Sequence, residues 1–234
     1  MSALLFPGQG SQTIGMGAEF YNNFDIVKKI FKEADEKLNF SLSKLILDGP
    51  EDKLQLTKNT QPAILTVSYS IFKVLTNEFN FNLKSIEYFA GHSLGEYSAL
   101  LSSESISFEE AIYLLHERGK SMQKAVPVGN GSMLAVLGSK ISDIIKLLDT
   151  LGDKKKGICE IANDNAEGQI IISGERETVL SFQAILKENR IKSIPLKVSA
   201  PFHCSLMKSA AEEMKQKIID TNFKKPNKKI ISNV

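Results

Sequence analysis

The sequence predicts an α/β fold on a parallel sheet, interrupted by an inserted ferredoxin-like subdomain. Apolar strand-like runs alternate with helical periodicity in its first half. A G-x-S-x-G turn at residues 91–95 stands where a strand gives way to a helix. The middle of the chain reads β-α-β-β-α-β, the order of a ferredoxin-like unit.

Ala3–Phe6 reads as a short buried strand stopped by Pro7 and Gly8. Residues 24–38 carry Ile26, Ile30, Ala34 and Leu38 at spacings of four, one face of a helix. Thr60 opens a long helix towards Phe79, with Pro62 tolerated in its first turn. Ile86–Ala90 is a second buried strand, leading into the Gly91–Gly95 turn and a further helix. Ser107 and Glu110 form a capping box ahead of the next one.

The insertion then follows. Strands are expected at Ser132–Leu137, Gly157–Ala162, Gln169–Ser173 and Lys192–Val198, with helices at Ser139–Leu151 and Glu175–Asn189. This divides the chain into a large unit, 1–125 with 199–234, and a small one, 126–198. Lys229–Val234 looks like a strand entering the core, and an interior strand at that place suggests that further fold follows it.

Composition narrows the function classes. The 234 residues are 42% hydrophobic and 24% charged with a net charge of +2, too mild a balance to point to nucleic acid or a membrane surface. The basic runs Lys154–Lys156 and Lys224, Lys225, Lys228 and Lys229 read first as solvated loop charge, and second as attraction for an acidic partner or coenzyme phosphates. Two cysteines, Cys159 and Cys204, make no disulfide framework, so a reducing, cytoplasmic setting is expected. The N-terminus lacks the basic region of a signal peptide, and no apolar run reaches the about 18 residues of a membrane span.

The Gly91-His92-Ser93-Leu94-Gly95 turn points to a serine nucleophile. A sharp strand-to-helix turn projects the serine oxygen at its tip and leaves no room for side chains at the flanking glycines. The helix start beneath offers free N–H groups, Leu94 N–H among them, for a developing oxyanion. Of the three histidines, His92 reads as packing ahead of substrate contact, and His116 as a solvated helix residue. His203, in the loop Ser199–Cys204 between a strand and a helix, is the best candidate for the base. Its orienting partner is open: Asp164 or a backbone carbonyl. Arg118 shares an apolar stripe with Ala111, Leu115 and Met122, where an unpaired charge is expensive. Either a structural carboxylate or a ligand's carboxylate fits it, and spacing does not decide between them.

Taken together, these residues resemble the malonyl-CoA:acyl carrier protein transacylase family, along the whole chain and in the family's order. The motifs are Phe6–Gln12, the elbow Gly91–Glu96, the arginine run Arg118–Gln123, Asn163-Asp164-Asn165 before Gly168-Gln169, and Pro201-Phe202-His203. The resemblance implies an α/β-hydrolase-like large subdomain with a parallel sheet and a ferredoxin-like small one. It makes Ser93 the acylated nucleophile, His203 the base, the Gln9 and Leu94 N–H groups the oxyanion hole, and Arg118 the clamp on a malonyl carboxylate. Phe202 would crowd an α-methyl substituent, and Asn163 and Asn165 would lie on the substrate side. The implied chemistry is ping-pong transfer from malonyl-CoA to acyl carrier protein by a monomer, without metal or cofactor, for fatty acid synthesis. Family members are longer, so a C-terminal portion holding the group behind His203 is expected to be absent. Two other readings share part of this pattern: an α/β-hydrolase esterase or thioesterase, and an inactive module that binds a carrier protein.

Overall fold

A computed structural model describes residues 2–151, 157–196 and 198–234. In chain order it contains β1 (Ala3–Phe6), α1 (Ala18–Asn23), α2 (Asp25–Leu38), α3 (Leu42–Asp48), α4 (Glu51–Leu54), α5 (Thr57–Asn77), β2 (Tyr88–Gly91), α6 (Gly95–Ser102) and α7 (Phe108–Ala125). There follow β3 (Gly131–Leu137), α8 (Ile141–Asp149), β4 (Cys159–Ala166), β5 (Gln169–Glu175), α9 (Arg176–Glu188), β6 (Lys192–Pro195), α10 (Lys208–Ile219) and β7 (Lys229–Ile231). The chain forms two compact units, Met1–Lys120 with Met214–Val234, and Ser121–Glu213.

The first unit holds a three-stranded parallel sheet in the order β1-β2-β7. Phe89 on the central strand is wholly buried and meets Phe6 and Phe72 edge-on at 5.7 and 5.9 Å. The outer strands differ from the buried strands that their apolar runs suggest. Leu5 on β1 is 73% exposed and Ile231 on β7 is 50% exposed, and both strands stand at edges of the described sheet. The main core lies among the helices. Val27, Ile30, Phe31 and Ala34 of α2 pack with Ala63, Ile64, Leu65 and Val67 of α5 and Ala111, Ile112, Leu114 and Leu115 of α7. The α2 stripe is therefore turned slightly from the one read from spacing, with Ile26 and Leu38 only partly buried.

Helix α5 starts at Thr57, not Thr60, so Pro62 lies inside it. Proline cannot donate to the carbonyl four residues back, that of Lys58. The His116 ring fills the vacancy: its Nδ1 lies 2.9 Å from Lys58 O. The capping box forms as the sequence indicates, with Glu110 N–H donating to Ser107 Oγ at 3.2 Å and Ser107 N–H to Glu110 Oε2 at 3.1 Å. The second lysine run is less of a solvated loop than expected. Lys228 Nζ donates to the Ile86 carbonyl at 2.8 Å, and Lys229 Nζ pairs with Glu87 at 2.8 Å. Lys154–Lys156 lie outside the described residues.

The second unit is an antiparallel sheet in the order β4-β5-β3-β6. Residues of β3 alternate between two buried faces. Leu134 and Val136 meet Ile144, Val179, Phe182 and Leu186 of α8 and α9 on one. Met133 and Ala135 meet Met122, Val126, Ala200, Phe202, Met207 and Ala210 on the other. This second face draws the end of α7 and the 200–210 segment into the compact unit. Strand β4 runs on through Asn163, Asp164 and Asn165 to Ala166, past the expected end at Ala162, with two register shifts on the way.

Candidate functional site

The elbow is built by close approach of backbone. A Cβ on Gly91 would lie 2.0 Å from Gly95 C, and one on Gly95 would lie 2.5 Å from Phe6 O and 2.8 Å from Pro7 O. Neither position accepts a side chain without moving main chain. Between them Ser93 adopts φ +54°, left-handed backbone that a non-glycine residue takes only where its surroundings impose it. Gly95 N–H donates to His92 O at 2.9 Å and Glu96 N–H to Ser93 O at 3.1 Å, starting α6 beneath the serine.

Arg118 reaches Ser93 because α7 crosses α5 closely. A Cβ on Gly119 would sit 2.5 Å from Lys58 Cα and 2.6 Å from Thr57 O. At this crossing Arg118 Nη1 donates to Gln61 Oε1 at 2.9 Å and Nη2 donates to Ser93 Oγ at 3.0 Å. The alternative left open by spacing is thereby narrowed: these two bonds go to neutral groups. Burial pulls the guanidinium's pKa below its ordinary value, while Tyr97 and Glu96 push it back up. Tyr97 in turn has its pKa raised by burial, offset in part by Arg118.

The loop before this site is held by its own polar groups. Gln12 is buried; its Oε1 accepts Gly10 N–H at 2.8 Å, and its Nε2 donates to Gln55 Oε1. Ser11 Oγ donates to Gly8 O at 2.9 Å, and Gln9 Nε2 to Thr57 Oγ1 at 3.4 Å. A Cβ on Gly8 would meet His92 Nδ1 at 2.7 Å, so the ring of His92 rests against this loop.

His203 belongs to the second unit, where it too has left-handed backbone, φ +56°. Its loop is tied on both sides. Phe202 N–H points at Met133 Sδ at 3.4 Å, while Ser205 N–H and Oγ donate to the two Glu160 carboxylate oxygens at 2.7 and 2.8 Å.

A family model described as the acyl transferase domain matches residues 3–234. The malonyl CoA-acyl carrier protein transacylase of Bacillus subtilis is 43% identical over 233 residues, 99% of this chain and 72% of its own length. That of Escherichia coli is 39% identical, over 99% of this chain and 74% of its own. The crystal structure of an acyl-carrier-protein S-malonyltransferase from Bartonella henselae superposes with a TM-score of 0.93 at 41% identity, covering 100% of this chain and 74% of that one. A malonyl-transacylase in complex with its type II PKS acyl-carrier protein gives 0.92 at 39% identity, covering 99% and 74%. The chain belongs to the malonyl-CoA:acyl carrier protein transacylase family.

Within this transacylase the remaining residues singled out from sequence are scattered. Phe202 is 6% exposed and packs in the second unit's core. Asn163 is partly buried and Asn165 exposed on β4 of the same unit. His116 is partly buried against Phe40, ring centres 5.7 Å apart, instead of solvated. Burial lowers its pKa, aided by the charges of Lys120 and Lys58 and opposed by Glu117 and its bond to Lys58 O. Three residues of the site escaped the sequence reading: Gln61, Glu96 as a polar partner, and Asn233. Gln61 had a signal, since a glutamine inside the apolar stretch of α5 needs a polar partner once buried.

Proposed function

We propose that this chain transfers a malonyl group from malonyl-CoA to the phosphopantetheine thiol of an acyl carrier protein, through an acyl-serine on Ser93. The Arg118–Ser93 pair carries this reading. A guanidinium with one arm fixed by Gln61 and the other on the nucleophile's oxygen suits an acyl group ending in a carboxylate about one acyl length from the attacked carbonyl. Relatives of this chain bear names for the same reaction, and one is seen with an acyl-carrier protein.

In the proposed sequence Ser93 Oγ attacks the thioester carbonyl while His203 takes its proton. The oxyanion is met by the N–H groups of Gln9 and Leu94. The C–S bond then breaks and coenzyme A departs as the thiol, taking the proton from His203. The carrier's thiol attacks the acyl-serine in turn, and the same groups act in reverse order. Asn163, Asn165 and Phe202 are assigned to the substrate side by resemblance alone. The sheet order β4-β5-β3-β6 within a β-α-β-β-α-β run supports a ferredoxin-like small subdomain over about 126–198, with residues 1–125 and 199–234 as the α/β-hydrolase-like remainder. A monomer in the cytoplasm, supplying fatty acid synthesis, is assigned by resemblance; the two free cysteines agree with a reducing compartment.

Intact-mass spectrometry after mixing with malonyl-CoA and, separately, acetyl-CoA tests the reading. A malonyl adduct is expected that is absent in Ser93→Ala and moves to added holo carrier protein. Release of free malonate without transfer would sink it in favour of a thioesterase.

A further inference from the structure

The hydrogen-bonded pairing of β2 with β7 runs as far as Ala90 and Ile231. Beyond it the chain of β2 swings into the left-handed turn at Ser93 and leaves its neighbour. A side chain continues the pairing where main chain no longer does. Asn233 Nδ2 donates to Gly91 O at 2.8 Å, and Asn233 Oδ1 accepts the Ser93 N–H at 3.0 Å. One carboxamide thus spans the turn from the last residue of the strand to the nucleophile. Glu96, in the first turn of α6, accepts from both the Asn233 N–H, at 3.1 Å, and Nδ2.

We infer that Asn233, held by Glu96, is a positioning residue for the Ser93 nucleophile. This rests on the reading of Ser93 as the acylated group. The chemistry of the three partners singles out asparagine. Gly91 O and the Glu96 carboxylate only accept hydrogen bonds, and Ser93 N–H only donates. A carboxamide presents an NH₂ to the first two and an oxygen to the third. Aspartate in its place would set an oxygen against a carbonyl and a carboxylate, and alanine would leave the turn unbridged. The clip acts at a residue with left-handed backbone, and it occupies the N–H of Ser93 itself. Leu94 N–H is then the elbow's donor for the oxyanion. Fixing the Ser93 backbone also fixes the distance from its Oγ to Arg118, on which the carboxylate selectivity depends.

The test compares Asn233→Ala and the isosteric Asn233→Asp with the unaltered chain. Three quantities are read: the rate of Ser93 labelling by a fluorophosphonate probe, malonyl transfer to holo carrier protein, and the melting temperature. Both variants are expected to stay folded and to label about tenfold to a hundredfold more slowly, the size of effect that a misplaced reacting atom produces. kcat should fall in step while KM for malonyl-CoA holds. Lowering the pH separates the two variants. Protonation returns a donor to the aspartate, so the rate of Asn233→Asp relative to wild type should recover, while that of Asn233→Ala should not. Wild-type labelling rates in both variants would overturn the inference. So would a pH response shared by both. If the unaltered chain takes the probe but no malonyl group, the acyltransfer reading fails while the labelling rates still decide the clip.

Discussion

The ring of His116 donates from Nδ1 to the main-chain oxygen of Lys58 at 2.9 Å, across 58 residues of sequence. The carbonyl can only accept, so Nδ1 carries the proton and the neutral ring keeps its Nε2 free to accept. The bond lets α5 carry Pro62 inside its second turn and sets α7 against the helix that bears Gln61.

A pH dependence of stability follows from the burial of this ring, which outweighs the bond's opposite effect. The folded pKa of His116 lies below the ordinary value of about 6.5, so the unfolded chain takes up this proton first as pH falls. Stability is therefore fully present above that value and declines below it, until the folded pKa is passed. His116→Asn keeps a donor near Nδ1 but cannot titrate. Denaturant unfolding of the two proteins at pH 7.5 and at lower pH, each within about two units of the ordinary histidine pKa, should show a steeper loss in the wild type. Equal slopes would mean that the ring is solvated after all.

Gly119 sets how closely α7 approaches α5, and hence where Arg118 meets Gln61. In Gly119→Ala the new carbon must displace the Lys58 and Thr57 main chain, and overpacking of this kind costs about 1–3 kcal/mol. Helix propensity alone predicts the opposite, since alanine is better than glycine within a helix by about 1 kcal/mol. A lower melting temperature together with poorer use of malonyl-CoA is expected. A stabilised variant of normal activity would show that the crossing is loose.

The elbow was legible in the sequence because its constraint is local: Gly91 and Gly95 must be bare whatever the rest of the chain does. The β-α-β-β-α-β run and the Ser107–Glu110 box were legible for the same reason, each being written in neighbouring residues. Helix α5 was begun at Thr60 because Pro62 looks like a first-turn residue until His116 is seen to take over its vacancy. The Arg118 partners could not be read, since Gln61 and Ser93 come from other elements. Asn233 lies 140 residues from the amide it holds, with no motif to announce it. Phe202 was read for its chemistry beside His203, and its burial against Met133 and Ala135, about 70 residues away, could not be read from its neighbours.

Phe202 consequently makes a poor place for a polar substitution. Phe202→Ser would probe α-methyl discrimination directly, but it empties a buried site among Met133, Ala135 and Met207, a loss of about 3–5 kcal/mol by comparison with other phenylalanine truncations. Phe202→Leu keeps most of the volume and should cost about 1 kcal/mol. If bulk at this position selects malonyl over methylmalonyl, the leucine variant should raise the methylmalonyl share while its melting temperature stays near wild type. An unchanged ratio in a folded Phe202→Leu protein would confine this residue to packing.

Arg118 offers the sharpest division between recognition and chemistry. Its two arms differ: Nη1 is committed to Gln61 and Nη2 lies on the Ser93 oxygen, so an arriving carboxylate must compete for the second. Arg118→Ala removes a charge-assisted grip worth about 3 kcal/mol, hence about a hundredfold in kcat/KM for malonyl-CoA. Acetyl-CoA offers no carboxylate and loses nothing by the change; with the guanidinium gone from Ser93 Oγ, its acylation rate should hold or rise. Arg118→Lys retains charge but not the fork, and should resemble the alanine variant for malonyl-CoA more than the wild type. The measurement is single-turnover acylation of Ser93 from each thioester. Equal losses for malonyl and acetyl would show that Arg118 serves the nucleophile and not the carboxylate.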